Sequence, residues 1–377
     1  MRVLILLLCL IAIVAAVAPG EVDYTTDKYI SSPHLDLPFK VADETSSIFD
    51  RTPIDAADLL KDDYLTLTYS HQDARRMAAV SAAAYCTTYG TYSLPNWTCG
   101  HCKASGLTAS DIQSFYIAGP DTRGFVGVVQ AGSGTKTIIV SWRGTKSWDN
   151  WLTNLSTAKV AYKGCTGCEV HSGFYNAYLG ARSTVVSLIT KLRTRYGNLP
   201  VHITGHSLGG ALAQHNIADF FNGLFSVTQL GDMTLVSGGH PAYDTDSVAI
   251  SPAQAELLGG STITATFEML FPMYTFGQPR VGNSKFAEWF ESRLGGTRLF
   301  RLTHHRDPVP HVPPQAMGFS HPATEVFYNQ ESTSYLVCSS TNGEDPNCSN
   351  QYTFTLSVKD HGVYAGYAFD SSATPCP

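Results

Sequence analysis

The chain has 377 residues, enough for one large domain or two ordinary ones. Apolar residues make up 44% and charged residues 15%, which supports a large buried core and excludes a generally disordered chain. Lys and Arg total 25 against 31 Asp and Glu, a formal net charge of −6 with no polybasic run, so nothing points to nucleic acid as a partner.

Arg2 is followed by an unbroken apolar run, Val3 to Val17, and by the small-residue pattern Ala16-Val17-Ala18. The run is short for a bilayer span and no basic stop-transfer cluster follows, so residues 1–18 read as a secretory signal peptide and the protein as extracellular. Residues 19–68 are acidic, rich in Ser, Thr and Pro, and without sustained periodicity; they read as a propeptide or loosely attached arm. From residue 69 onward the patterns are globular. An Ala-rich helix is predicted over His71–Cys86. Strand-like runs follow at Ser114–Ala118, Phe125–Ala131 and Thr137–Trp142, then a long helix, Phe174–Tyr196, that stops before Gly197 and Pro200. Val201–Thr204 reads as a short buried strand and Leu208–Phe221 as a helix. Met273–Phe276 and Arg298–Leu302 read as further buried strands around a helix at Asn283–Leu294, and Tyr352–Val358 is β-like. Strands alternating with helices predict an α/β architecture with a mostly parallel sheet covered on both faces.

Nine cysteines occur, and Cys9 falls in the signal. The other eight (Cys86, Cys99, Cys102, Cys165, Cys168, Cys338, Cys348 and Cys376) form an even set suited to disulfides in an oxidising compartment. Two C-x-x-C pairs also fit zinc, and Cys99-Gly100-His101-Cys102 copies a thiol–disulfide exchange motif. Such a motif belongs at a helix N-terminus after a strand; Pro95 before it and Gly106 after it predict a loop bridge instead. Asn96, Asn154 and Asn347 begin N-x-S/T sequons and are glycosylation candidates.

Gly205-His206-Ser207-Leu208-Gly209 lies between a short β-branched strand and an apolar helix. That is the strand–turn–helix setting of a nucleophile elbow, where the tight turn demands small flanking residues and exposes a serine at a helix N-terminus. A phosphate-binding loop would need a lysine that is missing. A serine hydroxyl needs a base to accept its proton, and that base needs a carboxylate to orient it, in the chain order Ser, acid, His. Downstream acids are Asp219, Asp232, Asp244, Asp246, Glu256 and Asp307; downstream histidines are His240, His304, His305, His311, His321 and His361. Asp307 follows a predicted buried strand, at the strand end where α/β sites lie. His304 and His305 precede that end and read as structural. His361, after a β-like run, is the favoured base, with His311 and His321 open.

Together these segments resemble the fungal class 3 triacylglycerol lipases, an α/β-hydrolase family. The similar stretches are Ser141–Thr145, Val170–Phe174, Thr204–Gly210, Thr275–Asn283, His305–Pro314 and Asp360-His361, and they span roughly residues 69–377. The resemblance implies a secreted serine esterase that cleaves triacylglycerol at a lipid–water interface, without a cofactor or metal and with no obligatory protein partner. It implies the triad Ser207, Asp307 and His361, and oxyanion-hole N–H groups from Thr145 and Leu208. It also implies the disulfides Cys86–Cys376, Cys99–Cys102, Cys165–Cys168 and Cys338–Cys348. Trp148, Trp151, Leu152 and Leu155 fall at i, i+3, i+4 and i+7, one face of a helix. By periodicity that stripe faces the core; by resemblance it is a short helical lid touching lipid, where Trp is favoured. Feruloyl esterases and phospholipases A1 share the scaffold and remain rival readings.

One departure stands out. Ser207 and Asp307 are 100 positions apart, wider than the usual connection in the resembling family. The excess lies in Asn222–Pro272, which has no clear periodicity and fits either an inserted surface segment or translated intron.

Overall fold

The computed structural model describes residues 40–41, 69–88, 93–145, 155–222, 272–294, 299–352, 355, 357–369 and 376. The signal segment, almost all of 19–68, the stretch 223–271, and Trp148, Trp151, Leu152 and Asn154 lie outside the described residues.

The first helix, α1 (His71–Ala83), begins where the Ser70 side chain accepts a hydrogen bond from the Asp73 N–H, with the Asp73 carboxylate in the first turn. Its Ala-rich surface lets it lie close against the sheet, with Ala74, Met77, Ala78 and Val80 fully buried. The chain then tightens into a 3₁₀ turn at Ala84–Thr88, so the helix predicted to Cys86 is two elements. A short helix, α2 (Gly100–Ala104), follows with Cys99 as its N-cap. The Cys99–Cys102 pair therefore opens a helical turn and is not the plain loop bridge read from its Pro and Gly neighbours. The reason is local: the Cys99 sulfur accepts the Cys102 N–H and so serves as the cap.

Strands β1 (Lys40–Val41), β2 (Thr108–Ile117), β3 (Thr122–Gln130) and β4 (Thr137–Trp142) belong to one nine-stranded sheet. A small two-stranded sheet, β5 (Lys159–Ala161) with β6 (Glu169–His171), leads into the long helix α3 (Ser172–Tyr196). The main sheet continues with β7 (Val201–His206), and after helix α4 (Leu208–Phe221) come β8 (Met273–Phe276), helix α5 (Ser284–Leu294) and β9 (Leu299–His304). Strands β10 (Glu325–Tyr328) and β11 (Ser334–Val337) form a hairpin, and β12 (Val363–Tyr364) with β13 (Tyr367–Ala368) a second small one. The order across the large sheet is β1-β11-β10-β9-β8-β7-β4-β3-β2. From β4 to β10 every pairing is parallel, and antiparallel strands close both edges.

Strand alternation divides the core between two faces. Ile138, Val140 and Trp142 pack with α3, α4 and α5 on one side, while Ile139 packs with α1 on the other. Helix α3 presents Tyr178, Ala181, Val185, Ile189 and Leu192 inward at helical spacing. Leu155 is half-buried against the same core.

Three elements differ from the sequence reading. β2 starts earlier than Ser114, because a bulge between Ser110 and Gln113, with Asp111 at φ 52°, shifts the phase of its alternation. Hairpin β10–β11 carried no alternation signal: all four residues of β10 are buried, including Glu325, whose carboxylate accepts the Thr303 hydroxyl and the Ser349 N–H. The β-like Tyr352–Val358 holds no strand among its described residues; a 3₁₀ turn at Ser349–Gln351 precedes it. No helix among the described residues is long and apolar enough to cross a membrane.

The four cysteine pairs implied by the resemblance are bonded: Cys86–Cys376, Cys99–Cys102, Cys165–Cys168 and Cys338–Cys348. The first closes a span of 290 residues and joins the end of the α1 region to the C-terminus. Replacing both of its cysteines with serine is expected to lower unfolding free energy by about 2–5 kcal/mol, because the cross-link restricts the unfolded chain. Chemical denaturation of the double variant measures it; an unchanged midpoint would refute the constraint. Asn96 and Asn347 are both exposed.

Candidate active site

Four loops at the C-terminal ends of β4, β7, β8 and β9 converge, the end of a parallel sheet where α/β sites form. Ser207 sits between β7 and α4 with φ 60° and ψ −131°, a conformation that costs a non-glycine residue about 1–3 kcal/mol. The surroundings enforce it: the Ser207 N–H donates to the Phe276 carbonyl at 2.8 Å and its own carbonyl accepts the Gly210 N–H at 2.9 Å. The glycines are required by contact. A Cβ at Gly205 would lie 2.2 Å from the Gly209 carbonyl oxygen, and one at Gly209 would lie 2.1 Å from that of Trp142. Ser207 Oγ is buried and makes no hydrogen bond among the described residues.

Asp307 closes the turn after β9. Its N–H donates to the His304 carbonyl at 3.0 Å, and its Oδ1 accepts the Val309 N–H at 2.9 Å. Its Oδ2 lies 3.0 Å from His361 Nδ1. A carboxylate only accepts, so Nδ1 carries the proton and Nε2 presents a lone pair. His361 lies in the 3₁₀ turn Asp360–Gly362 and is buried. That turn is anchored twice: His305 Nδ1 meets Asp360 Oδ2 at 2.8 Å, and His304 contacts the Asp360 carbonyl at 2.9 Å. Burial opposes ionisation of Asp360, but His305, Ser357 and the Arg306 N–H outweigh it and hold the carboxyl below its ordinary range.

Tyr364 also touches both partners. Its hydroxyl donates to Asp307 Oδ2 and lies 3.0 Å from His361 Nδ1. Burial first, then the Asp307 charge, pushes its phenol far above the usual value, so it remains a donor. The sequence reading passed over Tyr364, although its place three residues after His361, in the same turn, was a usable signal.

Thr145 follows Gly144 at the end of β4, and Leu208 is the first residue of α4. A Cβ on Gly144 would lie 2.9 Å from Ser207 Cβ, so this loop is pressed against the serine. Arg143 holds it from behind: its Nε donates to the Gly144 carbonyl at 3.0 Å and its guanidinium pairs with Asp121 at 2.9 Å. Burial opposes ionisation of Asp121, but Arg123 and Arg143 hold it below its ordinary value.

The other sequence candidates fall elsewhere. His304 spans two backbone carbonyls, and His321 Nε2 donates to the Pro310 carbonyl at 2.8 Å. Burial pushes His311 down to about 4. Asp219, near the C-terminal end of α4, pairs with Arg182 and Tyr178 of α3. His240, Asp232, Asp244, Asp246 and Glu256 lie outside the described residues. Two groups of metal-type donors occur among the described residues, Cys86 with His101 and Cys376, and Glu325 with Cys338 and Cys348. In both, the sulfurs are joined as disulfides, which leaves no thiolate to act as ligand.

Arranged this way, a serine hydroxyl, an imidazole protonated at Nδ1, a carboxylate that orients it and a helix N-terminus suit acyl transfer. A family described as Lipase (class 3) matches residues 139–248 and 254–317. A lipase of Rhizomucor miehei is 29% identical over 289 residues, covering 76% of this chain and 66% of its own length, just under two thirds. Lipase II from Rhizopus niveus superposes with a TM-score of 0.60 at 26% identity, over 79% of this chain and 95% of its own. A solved triacylglycerol lipase whose catalytic centre is described as a serine protease triad superposes with a TM-score of 0.58 at 29% identity, over 78% of this chain and 93% of its own.

Proposed function

This chain belongs to the class 3 lipase family and has the α/β-hydrolase fold, and from that premise we propose that it is a secreted enzyme hydrolysing triacylglycerol esters through Ser207, His361 and Asp307. The observation that carries the reading is the His361 Nδ1–Asp307 Oδ2 bond at 3.0 Å beside a strained serine at the N-terminus of α4. Ser207 Oγ attacks the ester carbonyl while His361 Nε2 takes its proton. Asp307 holds the imidazole tautomer and stabilises the cation that forms. The carbonyl oxygen becomes an oxyanion, met by the Thr145 and Leu208 N–H groups. Collapse expels the glyceride alcohol, which takes the proton from His361 and leaves an acyl-Ser207. Water, deprotonated by His361, then releases the fatty acid and restores the serine.

Within the apolar stripe, Trp148, Trp151 and Leu152 support action at a lipid surface, while Leu155 packs against the core; the Val3–Val17 run supports export. Three assays of the purified protein test the substrate: emulsified long-chain triglyceride, a soluble short-chain ester and methyl ferulate. Activity is expected to rise when glyceride exceeds its solubility limit. Preference for ferulate with no such rise would sink the lipase reading.

A further inference from the structure

The residue before the nucleophile, His206, is buried and takes no part in the proton transfers above. Both of its ring nitrogens are nevertheless committed. Nε2 lies 2.9 Å from the carbonyl oxygen of His361, an atom that can only accept, so Nε2 carries the proton. Nδ1 is then a lone pair, and it lies 2.7 Å from the hydroxyl of Tyr85, which donates to it. The same phenolic oxygen is packed against Gly144, the residue before Thr145. A hydrogen-bonded chain therefore runs from Tyr85, packed against Gly144, through the His206 ring to the backbone of His361.

We propose that Tyr85 and His206 are positioning residues that lock the oxyanion loop and the His361 turn at a set spacing on either side of Ser207. The proposal rests on the reading of Ser207 as nucleophile. Each of its two hydrogen bonds has one donor and one acceptor, so the chain has a single polarity. Packing supports it: the His206 ring stacks on Phe369 at 4.2 Å and lies 4.5 Å from the His361 ring. Space is equally tight at the other end, where a Cβ on Gly144 would come within 2.4 Å of the Tyr85 oxygen. Burial first, then the neighbouring His361, keeps His206 neutral, so the relay holds its polarity when His361 takes up a proton during turnover. Burial likewise keeps the Tyr85 phenol protonated.

The test compares Tyr85→Phe, His206→Phe, the double variant and Ser207→Ala, all as full-length protein, on a soluble short-chain ester and with an alkyl boronic acid as transition-state analogue. Each single variant is expected to lower kcat by about tenfold, leave KM within about twofold and raise the boronate inhibition constant by about tenfold. The double variant should be no worse than the weaker single, because one break already opens the relay. Unchanged kcat and boronate affinity in Tyr85→Phe, with Ser207→Ala inactive, would overturn the relay and leave the nucleophile standing. Additive losses, or losses that follow melting temperature with KM and kcat falling together, would also overturn it. Full activity in Ser207→Ala would sink the nucleophile and the relay with it. Tyr85→Phe is isosteric and decides the matter alone should His206→Phe fail to fold.

Discussion

Ser207→Ala is expected to lower kcat by about a millionfold while leaving the fold intact, the scale found when the nucleophile of a cooperating triad is removed. The proposed acyl-enzyme forms on this hydroxyl, and alanine offers no oxygen in its place. Asp307→Asn should lower kcat by about 10⁴, because an amide favours the wrong imidazole tautomer and withdraws the charge that stabilises imidazolium. Tyr364 still donates to the substituted side chain, so the turn should survive. Stability separates chemistry from structure here. Alanine keeps a Cβ at φ 60°, whereas Ser207→Gly relieves the strain and is expected to raise stability by about 1–2 kcal/mol while remaining inactive. Active-site titration with a fluorophosphonate, alongside thermal unfolding, reads both effects. Covalent labelling of the Ser207→Ala protein at wild-type rate would sink the assignment.

Arg280→Ala is expected to destabilise the chain by about 3–5 kcal/mol, the range for leaving one member of a buried ion pair unpaired. Arg280 grips Glu344 with two bonds, at 2.7 and 2.8 Å, and donates to the His311 and Pro313 carbonyls. It thereby shapes the loop that follows Asp307. Glu344 in turn accepts from Gln315, Asn350 and the His321 N–H. Burial raises its carboxyl, but the hydrogen bond from Arg280 leads the opposing effects and brings it down to about 2 from an ordinary 4.5. A depressed carboxylate stabilises the fold fully above pH 4.5, and that contribution, about 3 kcal/mol, fades as pH falls from 4.5 towards 2. His202 and His215, held near 3 by burial, act in the same sense from pH 6.5 downward, since the unfolded chain takes up protons first. Denaturation of Glu344→Gln across pH should therefore lose stability at neutral pH and flatten the profile below 4.5. A parallel profile at all pH values would refute the role given to Glu344.

The elbow was legible in the sequence because its causes are local. Glycines on both sides of Ser207, a β-branched strand before it and an apolar helix after it lie within about twenty consecutive residues, and backbone contact alone demands the glycines. Helix α3 was legible because its buried residues recur at helical spacing, and its end because Gly197 takes φ 84°. Chain order and the strand before Asp307 narrowed the acid. The histidine stayed open by residue type alone, since His311, His321 and His361 all lie downstream; the family resemblance, not periodicity, singled out His361. What only tertiary structure decided is which distant residues meet. Tyr85 lies 121 positions before His206, and Asp307 lies 54 before His361. No local pattern encodes those contacts; they arise from parallel crossovers that bring the C-terminal ends of β4, β7 and β9 to the same end of the sheet. The buried Glu325 concealed β10 for the same reason, since its Thr303 and Ser349 partners become neighbours only when β9 and β10 pair. Sequence by itself determined the tight turn at Ser207 and the kind of chemistry such a turn suits. The folded sheet decided the partners, because hydrogen bonds across the site depend on distance in space and not along the chain.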